Sequence, residues 1–153
     1  MKQDNKVYFF SKEDLVEIIE IEQRSHLTPW TRKNFTDSCD AKNLFRVLKN
    51  GNDIIGYYIG LFAADEFQLL NITVKPGLQK KGFGGLILKD IFGECKKKNI
   101  TNIFLEVRKS NSSAIRLYEK NGFNEIGVRN NYYQIRDGKE DAILMGLAIW
   151  IRT

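Results

Sequence analysis

The stretch spanning residues 67–122 constrains the fold more than any other part of this chain. It reads in order as strand, glycine-rich turn, helix, strand, helix and glycine stop. Residues 67–74 are apolar and rich in strand formers, and Pro76-Gly77 marks the loop that follows. A glycine-rich segment from Gln79 to Gly85 leads into a helix over residues 82–98, with Leu86, Ile87, Leu88, Ile91 and Phe92 inside. Residues 103–107 form a further strand. Ser110 or Asn111 then opens a helix that runs to Asn121, and Gly122 stops it. Strands and helices that alternate in this way bury their apolar faces as a sheet with helices against it.

The flanking segments extend that sheet. Residues 7–10 read as a first strand. Residues 12–24 form a helix, with Leu15, Ile18 and Ile19 at helical spacing and Ser11 as its cap. Pro29 breaks the chain, and Thr31 caps a short helix carrying Phe35. Residues 44–49 and 54–63 flank Asn50-Gly51-Asn52-Asp53, a hairpin signature. Residues 123–128 and 142–150 read as closing strands, with Tyr132 and Tyr133 in the loop between them. The expected fold is a mixed α/β sheet with helices on its faces. The 153 residues contain no repeat, low-complexity tract or linker, so one domain over residues 1–153 is expected.

Composition narrows the function. The 42% apolar content suits a folded domain rather than a disordered chain. No apolar run approaches the roughly 20 residues of a membrane-spanning helix. The N-terminus lacks a signal-peptide core, so a cytoplasmic protein with no membrane contact is expected. Cys39 and Cys95 have no metal-type spacing, and the single histidine, His26, cannot complete a zinc site with them. No metal is expected; Cys95 reads as a buried apolar residue and His26 as a surface residue at a helix end. The net charge of +5 suits an anionic partner, which a nucleotide-like cofactor satisfies as well as RNA does. Lys96, Lys97 and Lys98 end a helix, where cations favour the dipole. No RNA-binding motif accompanies them, so direct nucleic-acid contact is not expected.

The segment Gln79-Lys80-Lys81-Gly82-Phe83-Gly84-Gly85 has the chemistry of a pyrophosphate cradle. A glycine-rich strand-to-helix turn directs free backbone N–H groups at one spot beside the positive helix end. Glycine lets the backbone approach a phosphate closely, and Lys80 and Lys81 add charge. A dinucleotide fingerprint would need a third glycine where Ile87 stands, and a Walker A loop would need Gly-Lys-Ser/Thr. An ordinary glycine turn with capping duty is the alternative.

The pattern of Gln79, Gly82 and Gly84 resembles the coenzyme A signature of the GNAT acetyltransferase superfamily. Leu105-Glu106-Val107-Arg108, Asn111, the segment from Ala114 to Glu119 and Asn121-Gly122-Phe123 are similar to the second half of that superfamily's core. Further stretches resemble one branch, the bacterial ribosomal-protein alanine N-acetyltransferases. These are residues 21–26 with Pro29-Trp30, residues 71–74, 129–133 and 137–142. Thr73 and Phe83 stand where alanine and leucine are frequent in that branch. The resemblance implies a GNAT-like, mostly antiparallel sheet that splays centrally, flanked by about four helices. It places acetyl-CoA in the splay as acetyl donor. Backbone groups of Ile72, Thr73 and Val74 would meet the pantetheine arm. Gln79, Lys80, Lys81, Gly82, Phe83, Gly84 and Gly85 would hold the pyrophosphate, and Asn111 would bond the cofactor near its thiol end. Glu106 would be the general base and Tyr118 the general acid. The implied acceptor is the N-terminal α-amine of a protein, the alanine of a small-subunit ribosomal protein.

The chemistry suits those residues. Acetyl transfer needs a neutral amine, a polarised carbonyl and a protonated leaving thiolate. An α-amine, with pKa about 8, is partly neutral near pH 7, whereas a lysine near 10.4 offers about a thousandth. A carboxylate acting through water suffices for the former, and a tyrosine with pKa about 10 suits a departing thiolate. Asn111 and Tyr118 lie seven residues apart, on one helix face. The alternatives are Asn111 as helix cap, Tyr118 as core packing and Glu106 in an ion pair with Arg108 or a lysine. Tyr132 and Tyr133 would wall the peptide cleft or pack the hairpin. Glu140 and Asp141 would attract a basic N-terminal segment or stand as solvated turn residues, as Asp137 does. Competing functions are a broader N-terminal, lysine or small-amine acetyltransferase, a non-catalytic acyl-CoA-binding domain, and a basic RNA-binding module.

Overall fold

The computed structural model describes residues 4–149. Seven strands and four α-helices follow one another along the chain. β1 (Asn5–Phe9) leads through a short 3-10 turn into α1 (Leu15–Ser25) and α2 (Arg32–Asp40). β2 (Leu44–Asn50), β3 (Asp53–Ala63) and β4 (Glu66–Val74) form an antiparallel meander. Then come α3 (Phe83–Lys97), β5 (Asn102–Arg108), α4 (Ser112–Lys120), β6 (Asn124–Ile135) and β7 (Gly138–Ala148). The strands lie in the order β1-β2-β3-β4-β5-β7-β6. Among the described residues only the β4–β5 pair is parallel.

Local chemistry fixes most of these boundaries. Thr31 caps α2 by accepting from the Asn34 N–H at 3.2 Å, and Asn34 accepts in turn from the Thr31 N–H. Asn111 caps α4 by accepting from the Ala114 N–H at 3.2 Å. Gly51 and Gly122 take the positive φ that their turns require. Residue 150 ends the expected closing strand and lies outside the described residues.

The core has two layers because the sheet is buried on both faces. Ile18, Ile21 and Phe35 from α1 and α2 pack on Val47, Ile54, Tyr57 and Ile59. On the other face Ile87, Leu88 and Ile91 of α3 and Tyr118 of α4 pack on Ile55, Tyr58, Phe67, Leu69 and Leu105. Each large apolar side chain buried this way contributes about 1.5–3 kcal/mol. Cys95 belongs to the second cluster, as its place in a helix implies. Arg46 clamps β2 to α3 through a two-pronged pair with Asp90 at 2.9 and 3.0 Å, and the Tyr58 hydroxyl donates to the same carboxylate.

The last hairpin departs from the expected loop. β6 continues through Tyr132 and Tyr133 to Ile135, and the turn falls at residues 136–137. The register against β7 jumps between Arg129 and Tyr133, so Asn130 and Asn131 form a bulge rather than a loop. Asn131 takes a φ of 56°, which asparagine tolerates better than most residues, and its N–H donates to Asp141 at 2.9 Å.

Candidate active site

The sheet opens between β4 and β5. Their parallel pairing runs from Glu66↔Asn102 to Leu69↔Leu105 and stops. β4 stays with β3 as far as Gly56↔Val74, and β5 stays with β7 as far as Arg108↔Ala142. Each strand therefore departs with its outer neighbour. Leu70 sits at the point of departure as the extra residue of a β-bulge. A bulge kinks a strand and also exchanges its faces. Before it, Phe67 and Leu69 pack on the α3 side. After it, Asn71 and Thr73 reach groups of α1, and Ile72 and Val74 pack on the α3 side.

A cavity of about 470 Å³ occupies one side of the opening. Ile72, Thr73, Val74, Gln79, Lys80, Gly82, Gly84, Gly85 and Asn111 all line it. Gly82 is the N-cap of α3 with φ +89°, so the first turn of the helix presents its N–H groups to this space. A Cβ at Gly82 or Gly85 would meet nothing within 4 Å, which leaves room for a phosphate. Gly84 is different: its Cβ would lie 2.7 Å from Leu117 Cδ2, so glycine there serves the packing of α3 on α4. The Gln79 amide donates to the Val74 carbonyl at 3.3 Å and ties the loop to β4. Lys81 is exposed and Phe83 packs on the core, and neither lines the cavity.

A second cavity, of about 520 Å³, occupies the other side. Glu22, His26, Thr28 and Trp30 contribute from α1 and the loop after it, Glu106 and Arg108 from β5, and Tyr132 and Tyr133 from β6. The two cavities share His26, Ile72, Arg108, Asn111 and Tyr118. A splayed α/β sheet with a helix N-terminus on one side and a tyrosine-walled cleft on the other is an arrangement for joining two substrates. The model of the Acetyltransferase (GNAT) family matches residues 15–123. The chain belongs to the GNAT acetyltransferase family. It is 40% identical over 146 residues to the ribosomal protein bS18-alanine N-acetyltransferase of Escherichia coli, over 95% of this chain and 98% of that one. The crystal structure of the ribosomal-protein-S18-alanine N-acetyltransferase from Escherichia coli superposes with a TM-score of 0.90 at 38% identity, covering 97% and 96% of the two chains. Ard1 from Thermoplasma volcanium superposes with a TM-score of 0.87 at 25% identity, covering 96% and 99%.

In this acetyltransferase Tyr118 lies at the junction of the two cavities and is 4% exposed. Burial, with the nearby Tyr133 second, pushes its phenol well above the ordinary tyrosine range. It therefore holds its proton more tightly than a free tyrosine does. Glu106 lines the second cavity, and its Oε1 forms an ion pair with Arg129 Nε at 3.1 Å. The ion pair is thus with Arg129, not with Arg108 or a lysine. Oε2 has no hydrogen-bond partner among the described residues. Asn111 caps α4 through Oδ1, which leaves its Nδ2 donors for a ligand.

Glu140 and Asp141 do not line the second cavity. Glu140 accepts from the Ser110 hydroxyl at 2.8 Å and the Ser110 N–H at 3.1 Å, and Arg108 Nη1 lies 3.9 Å away. Burial acts to raise this carboxyl, but the Ser110 bonds and Arg108 outweigh it and lower it. Asp141 holds the Asn131 bulge. Both acids therefore brace the wall of the cleft. Arg108 stacks over the Tyr133 ring at 4.2 Å and donates to the Thr28 hydroxyl at 2.6 Å, joining the β6–β7 side to the loop after α1.

The sequence places His26 on the surface at a helix end and gives Glu22 no role; the structure puts the histidine half-buried at the end of α1 and buries the glutamate. Glu22 is 1% exposed and accepts from the Tyr57 hydroxyl, the Asn71 amide and the Trp30 N–H. One signal was available. Glu22 stands four residues after Ile18, on the buried stripe of α1, and a carboxylate there requires several donors. His26 follows α1 by one residue, and its Nε2 lies 2.8 Å from Thr73 Oγ1. That contact joins residues 47 apart and has no signature in the local sequence.

Proposed function

We propose that this acetyltransferase carries the acetyl group of acetyl-CoA to the N-terminal alanine of a small-subunit ribosomal protein of the bS18 kind. The observation that carries the reading is the meeting of two clefts at Tyr118, one built for a phosphate-bearing donor and one walled by tyrosines. Identity of 40% over 95% of the chain to an enzyme named for that acceptor supports the choice of substrate. The reading has one acetyltransferase domain working in the cytoplasm, where ribosomal proteins are made.

On this reading the pyrophosphate of acetyl-CoA lies at the N-terminus of α3, against the N–H groups that follow Gly82. The pantetheine arm runs along residues 72–74, whose inner edge has no strand partner beyond Leu69↔Leu105. A backbone N–H near Val74 holds the developing oxyanion. The acceptor enters from the opposite side, between Trp30 and the tyrosines. Glu106 accepts a proton from the attacking nitrogen through its free oxygen, directly or through a water. Tyr118 donates to the thiolate as charge builds on sulfur. Its raised pKa makes it a hydrogen-bond donor at every working pH.

Mass spectrometry tests the reading. The protein is incubated with acetyl-CoA and two peptides, one starting with alanine and one with a blocked N-terminus and free lysines. Acetylation of the first is expected. Exclusive labelling of the second would move the function to lysine acetylation, and no turnover with acetyl-CoA bound would make this a binding domain.

A further inference from the structure

We propose that His26 is the group that takes the first proton from the acceptor's α-ammonium, on Nδ1. The proposal rests on the α-amine transfer described above and adds a base to it. Hydrogen-bond direction carries the argument. Glu22 is an acceptor, and Asn71 gives its amide nitrogen to Glu22 Oε1 at 3.0 Å. Asn71 Oδ1 therefore faces Thr73, and the Thr73 hydroxyl donates its one hydrogen to it at 2.8 Å. The Thr73 oxygen is then left to accept, and His26 Nε2 lies 2.8 Å from it. With the Thr73 hydrogen given to Asn71 or to the nearby Tyr57 oxygen, the neutral ring carries its hydrogen on Nε2 and its lone pair on Nδ1. A chain of four side chains, anchored on a buried carboxylate, fixes one tautomer.

Position supports the role. His26 lines both cavities, so it stands where the acceptor nitrogen meets the acetyl group. The other residues at the junction offer no base: Tyr118 keeps its proton, Arg108 is a cation, and Asn111 and Ile72 do not titrate. Glu106 lines the acceptor side only, and one of its oxygens is held by Arg129. The charged and titratable groups around the junction are Glu22 of α1, Lys80 of the loop before α3, Glu106 and Arg108 of β5, Tyr118 of α4 and Tyr132 and Tyr133 of β6. Glu22 Oε1 is 3.6 Å from Nε2, so the imidazolium formed sits beside a carboxylate.

The protons balance. The α-ammonium gives one proton to Nδ1 and becomes a neutral amine. Its nitrogen attacks the thioester carbonyl carbon, a C–N bond forms, and the C–S bond breaks. The second proton leaves nitrogen for Glu106, Tyr118 gives its proton to the departing sulfur, which leaves as the thiol, and the proton on Glu106 returns to the Tyr118 oxygen through water. The proton on His26 passes to solvent.

His26 is the only histidine in the sequence, so its ring is read directly. A long-range ¹⁵N–¹H spectrum of the uniformly labelled protein near pH 8 should show the Nε2–H tautomer, and Thr73→Val should abolish that preference. His26→Gln keeps an N–H for Thr73 and loses the proton acceptor. On an alanine-initiated peptide its kcat/KM should fall roughly 10²-fold at pH 6.5, the lower end of the range for a lost general base. The deficit should shrink to a few-fold by about pH 9, where an α-amine of pKa about 8 is already neutral. The acetyl-CoA Kd of the variant, from calorimetry, should stay within about twofold, since a general base acts on the transition state. An Nδ1–H tautomer in the wild type, or a deficit of equal size at every pH, overturns the proposal. Wild-type protein that leaves the alanine peptide untouched overturns the α-amine reading. Wild-type protein that acetylates it while His26→Gln keeps pace overturns the His26 role alone.

Discussion

Gly85→Ala separates the stability of the helix from the shape of the donor site, because the two effects have opposite signs. Gly85 is the third residue of α3 and lines the donor cavity. A Cβ built there meets no atom within 4 Å, and the backbone is not left-handed, so alanine fits the free protein without strain. Alanine is better than glycine in a helix interior by about 1 kcal/mol. In the first turn roughly half of that is expected, which for a domain of this size raises Tm by about 1–2 °C. The same methyl group occupies space assigned to the pyrophosphate. Displacing the phosphate from one charge-assisted hydrogen bond costs about 1.5–3 kcal/mol, a loss of roughly 10- to 150-fold in acetyl-CoA affinity. Thermal unfolding without ligand and calorimetry with acetyl-CoA read the two halves. A variant that is more stable and binds acetyl-CoA as the wild type does would refute the cradle. Gly84→Ala is the contrasting case, since its Cβ meets Leu117 and its first effect falls on the packing of α3 against α4.

Glu106→Gln should lower kcat by roughly 10²–10⁴-fold with acetyl-CoA affinity nearly intact; because the proposed reaction gives this carboxylate the second proton, raising the pH should not relieve the loss as it should for His26→Gln, and a full pH–rate profile compares them. Tyr118→Phe should keep the fold and slow turnover, and an acetyl thioester with a more acidic thiol should recover much of the rate; equal rates for variant and wild type would remove the hydroxyl from the reaction. Of the two cysteines, exposed Cys39 should react with an alkylating reagent in the native protein, whereas burial, with Glu94 second, pushes the Cys95 thiol up to about 12 and should keep it inert until unfolding. Mass spectrometry of the labelled native chain checks this, with single modification expected below pH 10.

The sequence exposed its periodic elements and its caps. The helices begin where Thr31, Gly82 and Asn111 place them, and the glycine-rich loop stands where a donor site needs it. The bulges were not legible. Strict alternation from Phe67 puts Asn71 and Thr73 on the same face as Phe67 and Leu69, in the apolar core against α3. The extra residue at Leu70 turns them to the other face, where Glu22 and His26 wait for polar partners. Periodicity alone cannot place one inserted residue, because either neighbour tolerates the shift. The pair Asn130-Asn131 misled in the same way: asparagines with positive φ signal a turn, and here they serve a bulge inside a strand. The partners of Glu106 were also hidden. Arg129 reaches it from β6, across β7, and a contact between strands so far apart in sequence follows only from the sheet order.

That sheet order also explains why the donor should bind where it does. A closed sheet would satisfy the backbone of β4 on both edges. Here the pairing with β5 ends at Leu69↔Leu105, and residues 71–74 have a strand partner only on the β3 side. On that open edge the Val74 carbonyl accepts from the Gln79 amide, and a buried backbone N–H or C=O left without a partner would cost about 1–3 kcal/mol. On the proposed reading a pantetheine arm, which carries amide groups and an otherwise apolar chain, would supply the missing partners and cover the apolar side chains of Ile72 and Val74 at once. The donor would then stand in for part of a strand. Its thioester end would lie where the strands part, beside Tyr118 and His26, and the peptide would arrive from the other face without having to pass it. One interruption in one strand pairing therefore opens the cavity that the proposed donor would fill, leaves one edge of β4 without a strand partner and, with the bulge at Leu70, turns the polar side chains of β4 toward Glu22 and His26.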